Sequence, residues 1–159
     1  MLNDMVPGSV IYAFRINILP PMHYEHYGIY IGNNEVIHFN NEKGAHKVTL
    51  QSFMDYTRRS EGFVKPFPET HEALKIILKN RMKNPEYVER ALKELAKDGY
   101  QFFTSDQVIQ RAKNAVDDSE WVASEYSLRK KNCEHFAFWC KTGIKNSTQV
   151  EHYSKIIFG

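Results

Sequence analysis

A chain of 159 residues suits one domain, and 42% hydrophobic with 25% charged residues argues against disorder. Lys plus Arg at 21 against Asp plus Glu at 19 leaves a formal charge of +2, too little basic excess to suggest a nucleic-acid partner. No apolar run nears the ~20 residues of a bilayer span, no signal-peptide pattern opens the chain, and two cysteines cannot staple a secreted scaffold, so a reduced cytoplasmic protein is expected.

The first third reads as strands. Ser9 to Arg15 is β-branched and aromatic and follows the turn pair Pro7-Gly8. After a loop marked by Pro20-Pro21 come Tyr27 to Ile31, a turn at Gly32-Asn33-Asn34, and Glu35 to Phe39, together a hairpin signal. A further hairpin candidate runs through Lys47 to Leu50, and Phe63 to Phe67 is an edge strand because Pro66 cannot donate to a ladder.

From residue 68 the period changes to helical. Ala73, Leu74, Ile77 and Leu78 share one face. Asn84-Pro85 starts a helix whose apolar face is Val88, Ala91, Leu92 and Leu95, with Gly99 as the stop. A third begins near Ser105, and Trp121 to Arg129 is expected to be helical. Asn132 caps a helix from Cys133 to about Thr142, and Thr148 with Glu151 reads as a capping box for a last helix to Phe158. Strands first and helices afterwards predict an α+β fold, an N-terminal antiparallel sheet packed against C-terminal helices. Residues 1–159 form one domain, with 69–99 read as an added helical pair.

Cys133 stands at a helix start, where the helix dipole and first-turn N–H groups stabilise a thiolate. Cys140, seven residues on and mid-helix among Phe138 and Trp139, is read as core. A thiolate needs a base and a group that orients the base. His26 enters one strand and His38 lies within the next, so adjacent strands can bring them together on one face. His135 is read as structural, and His23, His46, His71 and His152 as surface residues. Aromatic residues, at 13%, can fill the core or meet an apolar ligand.

Asn132-Cys133-Glu134-His135-Phe136, preceded by Tyr126-Ser127-Leu128, resembles the NCEHF segment of the lecithin:retinol acyltransferase-like family. Tyr24 to Gly32 resembles that family's histidine box, and Val36-Ile37-His38-Phe39 its second histidine. The resemblance runs from about Pro7 to the end. It implies a circularly permuted papain-like fold of the NlpC-type superfamily. By position it makes Cys133 the nucleophile, His26 the general base and His38 the residue that orients His26. Tyr24 matches a tyrosine placed near the oxyanion. The implied chemistry is acyl transfer or hydrolysis on phospholipid esters through a thioester, with no cofactor, no metal and peripheral membrane contact. Many animal relatives carry a C-terminal membrane-spanning helix, a pattern not seen before Gly159. Two alternatives stay open: a peptidase or isopeptidase on the same fold, and a non-enzymatic host-interaction role like that of picornaviral H-box/NC proteins, which would place the chain in host cytoplasm.

Overall fold

The structure is a computed structural model that describes the backbone at residues 2–18, 21–55 and 61–159, and side chains over the same ranges except 15–24. Five strands form one antiparallel sheet: β1 (Val10–Ile18), β2 (Pro21–Gly32), β3 (Glu35–Asn40), β4 (Gly44–Thr49) and β5 (Gly62–Val64), in the order β4-β3-β2-β1-β5. Around and after them come α1 (Leu50–Met54), α2 (His71–Met82), α3 (Pro85–Lys97), α4 (Ser105–Ala115), α5 (Cys133–Thr142) and α6 (Ser147–Phe158). The α+β expectation holds, with the helices concentrated in the C-terminal part.

The hairpin from β2 to β3 is tighter than its sequence suggests. Gly32 still pairs with Glu35, so the loop is only Asn33-Asn34. Both asparagines have positive φ, 53° and 59°, the conformation a type I′ turn demands and one that Asn tolerates. β1 and β2 run longer than expected, because their pairing continues from Val10↔Ile29 out to Ile18↔Pro21. β5 stops at Val64, two residues before Pro66, and is an edge strand as predicted.

Strand alternation gives the sheet two apolar faces. Val10, Tyr27, Ile29, Ile37 and Phe39 pack with Phe136, Ala137 and Phe138 of α5 and with Val108 and Ala112 of α4. On the other face Ile11, Ala13 and Val36 gather around Phe53 of α1, with Leu50 and Met54 at the margin. That short helix is capped by Thr49, whose hydroxyl accepts from the Ser52 N–H, and it replaces the strand expected to reach Leu50. α5 is buried on nearly all sides and is the central helix of the fold. Truncating its fully buried Phe136 to Ala would cost about 3–5 kcal/mol.

Two helical expectations need correction. Trp121 to Arg129 is not a helix: two 3-10 turns, Ser119–Trp121 and Ala123–Glu125, are followed by a turn closed by the Ser127↔Lys131 bridge. The Trp121 ring is buried against Phe39, Phe136 and Trp139, and Val122 leaves that anchor in an extended conformation incompatible with helix. The last helix is capped by Asn146, whose side chain accepts from the Gln149 N–H, so Thr148 is already inside it. Among the described residues, no helix is long and apolar enough to cross a membrane.

Candidate active site

Cys133 is the first residue of α5. Asn132 adopts extended backbone and its side-chain oxygen accepts from the His135 N–H at 3.0 Å. In return His135 Nδ1 accepts from the Asn132 N–H at 3.0 Å, a reciprocal cap in which His does the work usually given to Glu or Gln. The Asn132 amide also donates to the Leu128 carbonyl at 2.9 Å, which ties the preceding turn to the helix start. Cys133 is thus held where the helix dipole favours a negative sulfur. Its main-chain N–H lies in the same first turn and can face an oxyanion.

Cys133 is 6% exposed, and its sulfur lies 3.9 Å from the Glu25 carbonyl oxygen in β2, one residue before His26. His26 Nε2 is 2.6 Å from His38 Nδ1, both rings being buried. The pairing of Ile29 with Ile37 in β2 and β3 makes these histidines diagonal neighbours on one sheet face. Phe53 packs on both, with ring centroids 5.4 and 5.6 Å away, and so walls the pair from below. Gly28 makes room for this arrangement. A Cβ there would lie 2.6 Å from Val36 Cγ1 and 2.9 Å from Phe53 Cε2.

The strand sequence therefore brings His26 and His38 together and sets the Cys133 thiol against the strand that carries His26. Tyr24 lies in β2 opposite Arg15, but its side chain falls outside the described residues. The side chain of His23 falls outside them as well. His71 and His152 are exposed, as expected. Cys140 is fully buried, and burial pushes its thiol well above the ordinary cysteine range, so it is core rather than nucleophile.

His46 is not the surface residue the sequence suggested. It pairs directly with His38 across β3 and β4, and its Nε2 is 3.1 Å from His38 Nε2. Its Nδ1 is 2.8 Å from the Gly44 carbonyl oxygen. The signal that could have found it is the β3–β4 register, set by a turn in which Asn40 Oδ1 accepts from the N–H groups of Glu42 and Lys43. The three imidazoles form a line, ring to ring, rather than converging on a point. Among the described residues no group of three or more His, Cys, Asp or Glu side chains is arranged to hold a metal ion.

Charge around the thiol is mixed. Burial pushes the Glu134 carboxyl above the usual carboxylate range, and nearby Lys65 draws it back down. Glu134, Lys65, Tyr27 and Phe158 line a narrow cleft beside α5.

A buried sulfur at a helix start, beside a strand carrying a hydrogen-bonded imidazole pair, is equipped for nucleophilic attack on an acyl carbon. Comparison with known proteins points the same way. The family model described as "Lecithin retinol acyltransferase" matches residues 3–146. The chain is similar to "Phospholipase A and acyltransferase 5" of Rattus norvegicus and of Mus musculus, 26% identical over 147 residues in each case. Those matches cover 92% of this chain but only 42% of the rat and 44% of the mouse protein. The chain thus spans less than half the length of these relatives.

Proposed function

The chain belongs to the lecithin retinol acyltransferase family, and on that premise we propose that it is a thiol enzyme acting on glycerophospholipid esters through an acyl-thioester on Cys133. The observation that carries this reading is the placement of Cys133: first residue of α5, its sulfur against the Glu25 carbonyl of β2, one residue along the strand from His26, which is itself bonded to His38. His26 takes the thiol proton, and the thiolate attacks the ester carbonyl carbon. A carbon–sulfur bond forms while the carbonyl electron pair moves onto oxygen. The Cys133 N–H and the Tyr24 hydroxyl are the donors proposed for that oxyanion. As it collapses, the carbon–oxygen ester bond breaks and imidazolium His26 gives its proton to the departing alcohol oxygen. His38 keeps the His26 ring oriented throughout.

Water activated by His26 then releases the fatty acid, which is phospholipase A chemistry. An amine or alcohol in place of water gives acyl transfer by the same step. Contact with lipid is peripheral, from the cytoplasmic side. The turn before α5 suits such contact, since Leu128 is 68% exposed and is followed by exposed Arg129 and Lys130.

The test is intact mass after incubation with a labelled diacyl phosphatidylcholine and an acid quench. Wild type is expected to gain one acyl group, and Cys133→Ala none. A folded wild type that forms no adduct and releases no fatty acid would remove the lipid-ester reading.

A further inference from the structure

His46 has no part in the motif-derived reaction, yet its ring ends the line that begins at His26. We infer that His46 is a positioning residue which, anchored on the Gly44 carbonyl, fixes the tautomers of His38 and His26 so that His26 Nδ1 stays free of a proton. The inference rests on the reading of Cys133, His26 and His38 as the reacting set.

The assignment follows from counting protons along the line. A carbonyl oxygen only accepts, so His46 Nδ1, 2.8 Å from Gly44 O, carries a hydrogen. A neutral imidazole has one N–H, so His46 Nε2 is an acceptor. At 3.1 Å, His38 Nε2 must then donate to it. This leaves His38 Nδ1 as an acceptor, and at 2.6 Å His26 Nε2 donates to it. His26 Nδ1 is what remains, with a lone pair and no hydrogen. That is the state a general base requires.

Without the anchor, the same distance between His26 and His38 fits the opposite polarity equally well. In the inverted line His26 carries its hydrogen on Nδ1 and cannot take one from a thiol there. The Gly44 carbonyl chooses between the two. Its own position is set by tight packing: Gly44 has φ of +70°, and a Cβ there would lie 2.5 Å from the Trp121 oxygen and 2.7 Å from the Ala123 nitrogen. Buried Trp121 thereby helps to seat the carbonyl that sets the tautomers.

Ring-nitrogen NMR tests this without substrate. In 15N-labelled Cys133→Ala at mildly alkaline pH, the expected hydrogens are on Nδ1 of His46 and on Nε2 of His38 and His26. Adding His46→Ala should mix the tautomers of His38 and His26. In the chain with Cys133 intact, His46→Ala should lower kcat by about 10–100-fold, the range seen when a partner that orients a metal-bound histidine is lost, with KM unchanged. His46→Gln, whose amide oxygen can accept from His38 Nε2, should restore both the single tautomer and most of kcat. Any other placement of hydrogens in the parent, or an unchanged tautomer after His46→Ala, overturns the inference. Should His46→Ala not fold, the parent spectrum and His46→Gln decide it. Absence of lipid turnover would count against the proposed reaction and leave the nitrogen spectra to judge the tautomers.

Discussion

His135 stands two residues beyond the thiol and holds the turn that presents it. Because its Nδ1 accepts from the Asn132 N–H, the cap requires a neutral ring, and burial lowers its pKa, opposed by Glu151. The folded pKa therefore lies below the unfolded value near 6.5, and the unfolded chain binds the proton first as pH falls. The contribution of His135 is complete above that unfolded value and is lost progressively below it, down to the folded pKa. His135→Gln can keep the cap, since an amide oxygen accepts the same N–H, but it does not titrate. Its melting temperature should fall less than that of wild type between about pH 7 and about pH 5. Parallel melting profiles would show that His135 contributes nothing to acid sensitivity. At this scale the sequence was most informative, because Asn132, Cys133, His26 and His38 each have a chemical reason to stand where they do. His46 was hidden because its role comes from a cross-strand partner eight residues away, not from its neighbours in the chain.

Among the elements, β2 depends on a residue with no side chain. Gly28 lies beneath Val36 and Phe53, and Phe53 is the ring on which His26 and His38 rest. Gly28→Ala must displace Phe53 or move β2 away from β3. Overpacking of this kind costs about 1–3 kcal/mol. A lower urea midpoint is expected together with slower alkylation of Cys133, because the histidine pair shifts with its support. If the midpoint falls by that amount while alkylation is untouched, Phe53 supports the sheet but not the site. Apolar periodicity predicted the sheet and most of the helices, since β-branched runs and i, i+3, i+4 spacing are set by burial itself. It failed at Trp121 to Arg129, where one buried indole fixes the chain and the following backbone is extended. It also missed α1, since five residues carry too few apolar positions to show a period.

At the scale of the whole molecule, polar contacts fasten the helices of the C-terminal part to one another. Lys141, in the buried helix α5, is 7% exposed at its side chain and donates to both carboxylate oxygens of Glu69, at 2.9 and 3.1 Å. Arg81 of α2 donates to the Ile157 carbonyl of α6 at 2.9 Å, and Tyr153 of α6 donates to Asp98, just beyond α3. These contacts run between segments far apart in sequence, and the Lys141–Glu69 pair is the one that reaches the helix of the thiol. Its two ends are not equivalent, because the Glu69 side chain is 66% exposed. Glu69→Gln leaves one oxygen to accept from Lys141 but removes the counter-charge of an ammonium buried in α5, a loss of roughly 1 kcal/mol or more. Lys141→Met removes the buried charge itself and frees Glu69 to be hydrated where it stands. Exchange of a buried ion for an apolar chain of similar volume is often neutral. Urea midpoints should therefore order wild type and Lys141→Met close together, with Glu69→Gln clearly below. The reverse order would mean that solvent reaches the ammonium in the folded state. Either order is measured without substrate, so it reports on how α5 is held independently of what Cys133 attacks.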